Sequence, residues 1–190
     1  GGEIVAAETY PDDTNADYSA QLTNCKSAGA EVVLLPIYYT PASVILKQAK
    51  DMNYAPVFFG VDGMDGILDM EGFDTALAEG VMLMTPFNPW STDEAVAAFV
   101  EKYQAAYNEV PNQFAADGYD AIYALYNAFK AAGLSTDQPN EEICDAMIAQ
   151  FTGGFSYDGL TGAAMTWNDK GEVNKTPVVC VIEGGIYVDK

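Results

Sequence analysis

Asp62, Tyr38 and Tyr39 are the side chains of this sequence best placed to do chemistry on a small molecule. The tyrosine pair follows the apolar run Val32–Leu35, and Asp62 follows a second one, Val57–Gly60. If both runs are parallel strands, all three residues stand just beyond their carboxyl ends, where open α/β sheets bind ligands. A carboxylate there would meet an ammonium group, while two phenols supply a hydroxyl and a stacking face. A small amphoteric ligand is what such a set suits.

The elements that must position these residues are legible around them. EVVLLPIYYTPASVILKQAKDMNYAPVFFGVDG, Glu31 to Gly63, reads as strand, tight turn, helix, strand. Val32–Leu35 is uncharged throughout, the pattern of a strand buried on both faces. Thr40 is a good N-cap and Pro41 a good first helical residue. Ile45, Ala49 and Met52 then recur at helical spacing. Upstream, residues 4–7 are expected to form a strand. Residues 17–28 are expected to form a helix with Tyr18, Leu22 and Cys25 on one face, closed by Gly29. Residues 63–79 form a Gly- and Asp-rich loop with a short helix or two, and 80–85 another strand.

Pro86, Pro89 and Trp90 interrupt this pattern, and a boundary is placed there. Beyond it the texture turns helical. Ser91 and Glu94 make a capping box, followed by a stripe of Val96, Phe99, Val100, Tyr103 and Tyr107. Residues 113–132 carry Ala115, Tyr119, Ile122, Tyr126 and Phe129 on one face and end at Gly133. Residues 140–150 present Ile143, Met147 and Ile148. Strands at 162–167, 177–182 and 186–188 close the chain, the first two separated by the turn Asn168-Asp169-Lys170-Gly171. The three helices have wide apolar stripes and no strand of their own between 91 and 153. Their sheet must lie in the first half or in residues outside this chain.

Composition narrows the function. Of 190 residues, 28 are acidic and 8 basic, for a formal charge of −20, and every basic residue is Lys. That field is the opposite of the cationic footprint nucleic acid requires, and it disfavours an anionic membrane surface. There is no His, so Ser-His-Asp and Cys-His nucleophile systems and His-ligated metals are excluded. Cys25, Cys144 and Cys180 form no CxxC and are expected as buried structural thiols. With 49% hydrophobic residues the chain should bury a real core. No run is long enough to span a bilayer and no signal-peptide pattern opens the chain, which begins as a mature or truncated sequence would.

At this point the residues resemble a known family. TYPDDTNADYSAQLTNCKSAGAEVVLLPIYYTPASVILKQA, FFGVDG, EGVMLMTPFNP, AFVEKYQAAYNEVPNQFAADGYDAIYALYNAF and FSYDGLTGAAMTWNDKGEV occur in the order found in periplasmic binding proteins of type I. The resemblance is to the C-terminal part of the branched-chain amino-acid (Leu/Ile/Val) receptors of ABC importers. It implies an α/β fold, a Rossmann-like parallel-sheet lobe of a two-lobe receptor, truncated. Residues 1–86 plus 176–190 would be the second lobe, and 87–175 a helical segment returning to a first lobe whose N-terminal part is absent. It also implies roles. Asp62, in GVDG, matches the acid that accepts hydrogen bonds from the ligand's α-ammonium. Tyr38, in the YY pair, matches a tyrosine that closes over the ligand, with Tyr39 the second choice. Phe114, in NQFAADGYDA, matches an aromatic reaching the site from the other lobe. The groups that grip the ligand carboxylate lie in the missing part of the first lobe.

The competing readings are structural. Asp62 could instead cap the next short helix, Phe114 could be a core aromatic, and Asp117 could be solvated or hold a local partner. Asp13, Asn15 and Asp17 match the first ligand positions of an EF-hand loop, but Tyr18 stands at the glycine position and Asn24 at the glutamate. An N-capping loop is the better reading there. Asp62, Asp65 and Asp69 fit no metal spacing, so no metal or cofactor is expected. The sequence therefore points to an extracytoplasmic solute receptor without catalysis, periplasmic or lipid-anchored, that delivers a small neutral, aliphatic amino acid to an ABC permease. A ligand-sensing signalling or scaffold module of the same fold is the alternative. An α/β enzyme fits least, for want of His, a phosphate-binding glycine loop and a nucleophile elbow. The apolar stripes of the Val96, Ile122 and Ile143 helices are expected to pair two copies of the chain or to repack against the remaining sheet.

Overall fold

A computed structural model of the chain describes residues 1–12 and 16–190. They divide into two compact units, Gly1–Ser91 with Val178–Lys190, and Thr92–Pro177.

The first unit is α/β. Helix α1 (Ser19–Ser27) is followed by β1 (Val32–Leu35), α2 (Tyr39–Asp51), β2 (Val57–Gly60) and β3 (Met82–Thr85). Its last strands, β6 (Val178–Glu183) and β7 (Ile186–Asp189), complete a five-stranded sheet in the order β1-β2-β3-β6-β7. The first three strands are parallel, with Val32 opposite Val57 and Phe59 opposite Met82. The last two run antiparallel, with Thr85 opposite Val178 and Ile182 opposite Tyr187. The sheet is therefore mixed. A βαβ unit at one side gives the parallel part, and the Gly184-Gly185 hairpin, both glycines at positive φ, gives the antiparallel part.

Leu35, Ile45, Leu46, Ala49, Phe58, Leu83 and Ile182 make the core of this unit with Tyr18 and Leu22 of the α1 segment. The two helices are tied together where the Tyr18 amide donates to Gln48 Oε1 at 2.7 Å. Burial of β1 on both faces is corrected: Leu35 is 6% exposed, but Val32 and Leu34 are each 60% exposed. β1 is an edge strand, and only the side carrying Leu35 is covered at this end of the sheet. Val57, on β2, is left open in the same way.

Residues 4–7 form no strand. The residues just after them are tied to α1, Gln21 Nε2 donating to the Thr9 carbonyl and Asn24 Nδ2 to Glu8, while Ile4 is 88% exposed. The 4–7 segment lines a groove of about 460 Å³ whose opposite wall is β1. Helix α2 starts two residues earlier than expected, with Tyr38 as its N-cap and Thr40 inside it. The 63–79 region holds three short 3₁₀ turns, Asp62–Met64, Ile67–Asp69 and Thr75–Ala78.

The second unit contains α3 (Glu94–Tyr107), α4 (Gln113–Ala131), α5 (Asn140–Thr152) and a two-stranded antiparallel sheet of β4 (Ser156–Tyr157) and β5 (Met165–Thr166). Asp93, not Ser91, caps α3, accepting from the Ala95 and Val96 amides. On α4 the inward face is made of Ala116, Asp120, Ala124 and Ala128, spaced four apart, while Ile122 and Tyr126 point outward at 66% and 57% exposure. The large apolar stripe read from the sequence is thus the uncovered face, because small residues let the neighbouring segments approach the helix. Expected burial also fails for Cys144, which is exposed; Cys25 is half-buried and Cys180 buried.

Candidate functional site

β1 and β2 end side by side in register, Leu35 opposite Gly60, so the residues that follow them share one edge of the sheet. After β2 the chain turns at once: the Met64 amide donates to the Val61 carbonyl and the Asp65 amide to the Asp62 carbonyl, both at 3.0 Å. Two glycines make this turn compact. A Cβ on Gly60 would strike Met64 Sδ, and one on Gly63 would lie 2.8 Å from the Ile37 carbonyl oxygen and 3.4 Å from Tyr38 Cα. The Asp62 turn and the Tyr38 turn therefore lie backbone against backbone.

Asp62 and Tyr38 both emerge from that contact into the open; Tyr38 is 56% exposed. Tyr39 is half-buried and packs on the core of the unit. The structure so separates the tyrosine pair into one exposed phenol and one packing residue. Phe114 is the second residue of α4, 42% exposed, and belongs to the other unit.

Beneath Asp62 the same turn carries a second carboxylate that sequence reasoning left without a role. Asp65 is 1% exposed, and its Oδ2 lies 3.2 Å from Thr85 Oγ1 at the end of β3. Tyr187 is buried against it. Burial, then the Asp65 charge, drives that phenol well above the ordinary tyrosine range. The spacing gave no signal for this, since residues three apart in a 3₁₀ turn eclipse one another; Asp65 is buried by its contacts with Thr85 and Tyr187, which are distant in sequence.

The second unit holds a hollow of about 800 Å³ lined by Phe99, Tyr103, Tyr107, Tyr119 and Tyr157. Its one buried carboxylate, Asp120, is already engaged: it accepts the Leu160 amide at 2.9 Å and both the amide and the hydroxyl of Thr161 at 2.8 Å. Burial, reinforced by Asp120, pushes the Tyr157 phenol up to about 12. The rest of the lining is mainly aromatic, with Lys102 at the wall and Asp93 and Asp158 accepting backbone amides. It suits packing better than recognition of a polar ligand. Asp117 pairs with Lys175 Nζ at 2.8 Å, the local-partner role expected of it.

Of the EF-hand candidates, Asp13 and Asn15 lie outside the described residues. Asp17 accepts the Ser19 amide at 2.9 Å, and its bonds from the Ser19 side chain and backbone hold its carboxyl below the ordinary range. Among the described residues no three His, Cys, Asp or Glu side chains gather as a metal site, and no helix is long and apolar enough to cross a membrane.

The periplasmic binding protein family model matches residues 1–185 of the chain. This chain belongs to that family. Members bind solutes and are not enzymes. A Leu/Ile/Val-binding protein homolog from Brucella abortus is 32% identical over 116 residues, which are 58% of this chain and 29% of that protein. The isoleucine complex of the branched-chain amino acid transporter substrate binding protein LivJ from Streptococcus pneumoniae has a TM-score of 0.74 at 24% identity. It covers 93% of this chain and 50% of its own. A solute binding protein of an ABC transporter from Rhodopseudomonas palustris, in complex with benzoate, has a TM-score of 0.77 at 18% identity, covering 93% and 46%. These likenesses establish the fold. The chain spans about half the length of the solved relatives.

Proposed function

We propose that the chain is part of an extracytoplasmic receptor that captures a small neutral amino acid, branched-chain or otherwise aliphatic, for an ABC importer. Residues 1–86 with 176–190 are assigned to its second lobe, and 87–175 to a segment returning to the first. The reading rests on one observation: Asp62 and Tyr38 emerge side by side from a glycine-tight contact at the carboxyl edge of the sheet. A carboxylate there attracts an α-ammonium group and repels a ligand whose only charge is a carboxylate. That favours amino acids over the aromatic acids that some structural relatives hold. Closure of a second wall over the ligand would then supply the state a permease recognises. The family fits a periplasmic location; a lipid anchor at the cell surface is the other placement compatible with this role.

The test is isothermal calorimetry with the twenty amino acids and benzoate on a polypeptide extended to the length of the solved relatives, with Asp62→Ala and Phe114→Ala alongside. Binding of one or a few aliphatic amino acids is expected, weakened by about 2–5 kcal/mol in Asp62→Ala because a charge-assisted bond is lost. Binding of benzoate alone, or aliphatic binding indifferent to Asp62, would overturn the ligand class.

A further inference from the structure

Asp65 is a fully buried carboxylate for which ligand contact provides no explanation. Buried charge is retained only where hydrogen bonds hold it, so its partners show what it does. Thr85 Oγ1, itself 1% exposed, lies 3.2 Å from Asp65 Oδ2 and 3.0 Å from the Phe87 carbonyl, and it accepts the Phe87 amide at 3.2 Å. One hydroxyl proton faces two acceptors. The Tyr187 hydroxyl accepts the Gly66 amide at 3.4 Å, directly after Asp65, and its ring meets Trp90 edge-on at 5.4 Å. Asn88 Nδ2 donates to Asp189 Oδ1 at 2.7 Å. The carboxylate thus joins three pieces of chain: the Asp62 turn, the end of the C-terminal hairpin, and residues 85–90, by which the chain leaves this unit at Ser91.

We propose that Asp65 is a positioning residue, fixing the Asp62 turn to the exit segment Thr85–Trp90 through the Thr85 hydroxyl, so that ligand capture and the exit segment's conformation form one equilibrium. Its ligand half rests on the reading of Asp62 given above; the mechanical half does not. Met64 and Ile67, each 0% exposed, seat the turn in the core on one side, and on the side of the exit segment the Thr85 hydroxyl joins it to residues 85–90. Disturbing the threonine should therefore free the turn and exit segment together while leaving β1 and β2 as they are.

Thr85→Val removes the hydroxyl at nearly constant volume, and Thr85→Ser restores it. In a Trp167→Phe background Trp90 is the sole tryptophan, and its emission reports the exit segment. Amide exchange on the 190-residue chain should quicken at least about tenfold at Met64, Asp65 and Gly66 in Thr85→Val, with a red shift of Trp90 emission. Val33 and Phe58 should exchange as in the wild type, and Thr85→Ser should reverse both changes. Unaltered exchange and emission, or faster exchange spread evenly over the sheet, would overturn the proposal. Should Thr85→Val not fold, Asp65→Asn is read by the same measurements. On the length-extended polypeptide, leucine affinity should fall at least about fivefold in Thr85→Val and recover in Thr85→Ser. Wild-type affinity in Thr85→Val overturns the ligand half. A wild type that binds no amino acid overturns the function reading instead, and the exchange experiment still decides the coupling.

Discussion

Gly63 and Ile37 meet backbone to backbone: a Cβ on the glycine would stand 2.8 Å from the isoleucine's carbonyl oxygen. No flexible side chain can yield there, because the obstacle is main chain. Gly63→Ala should therefore cost about 1–3 kcal/mol in denaturant melts and separate the Asp62 and Tyr38 turns. Gly118 offers the contrast, since it lies inside α4 with nothing within 4 Å of its missing Cβ. Gly118→Ala should stabilise by about 0.5–1 kcal/mol. Equal effects of the two substitutions would contradict the close-approach argument.

The tyrosine pair makes a prediction of opposite kinds. Tyr38→Ala should leave the midpoint of unfolding within about 0.5 kcal/mol of wild type, because the ring is largely in water, yet weaken amino-acid binding. Tyr39→Ala should do the reverse and destabilise, since that ring packs on the core. Parallel melts and calorimetry on both variants decide it.

Why one part of this architecture could be read from the sequence and another not is itself physical. The parallel strands, α2 and the Asp62 edge were legible because short apolar runs bounded by Pro and Gly allow few alternatives. Burial on both faces was not legible for β1, because whether a layer covers the Val32 and Leu34 face, open also at Val57 on β2, leaves no mark in the strand's own residues. Nor was the inward face of α4: apolarity marks a surface that wants covering, and here alanines and Asp120 are what is covered. Ser156–Tyr157 escaped notice because two residues carry no periodicity. Asp65 was visible only as an extra acid, since burial of a charge depends on Thr85 and Tyr187, distant in sequence. Residues 4–7 have strand composition, but a strand needs a partner to pair with, and among the described residues they pair with none; α1 bonds instead to Glu8 and Thr9 beyond them.

Raised proton affinities set the alkaline limit. Burial, aided by the bond to Asp189, pushes the Cys180 thiol up to about 12 from an ordinary 9.0, and Tyr157 reaches about 12 from 10.0. Both groups stay protonated in the fold where the unfolded chain would release the proton. Their contribution is complete below about pH 9 and declines as pH rises toward 12, each by at most about 1.4 kcal/mol per pH unit. Cys180→Ala should flatten the fall in guanidinium midpoints between about pH 9 and about pH 11. An unchanged slope in the variant would exclude Cys180 as a cause.

Asp120 should be the most sensitive polar position of the second unit. Its carboxylate receives three bonds from Leu160 and Thr161, and a Cβ on Gly159 would meet its Oδ2 at 2.5 Å. Asp120→Ala strands two amides and should cost about 2–4 kcal/mol, with proteolytic nicking between Asp158 and Gly162. Lys175→Met should cost less, about 1–2 kcal/mol, because its pair with Asp117 is partly in water although its Nζ also donates to the buried Thr161 hydroxyl at 2.7 Å. Calorimetric unfolding of the two variants ranks the carboxylate clamp above the lysine that supports it.

Self-association is expected through the second unit's uncovered apolar residues. Ile122, Tyr107, Ile148 and Tyr126 are 66%, 65%, 62% and 57% exposed, whereas Val96 is buried and offers nothing. Covering the exposed residues with a second copy offsets part of the cost of association, so the dimers should be weak and reversible. A charge of −20 on each chain opposes this, and that repulsion is what salt screens. Sedimentation velocity should therefore show a dimer population that grows with both protein and salt concentration, and Ile122→Lys with Ile148→Lys should abolish it. Association that weakens with salt would assign it to charge pairing instead, and a monomer under all conditions would remove the interface altogether.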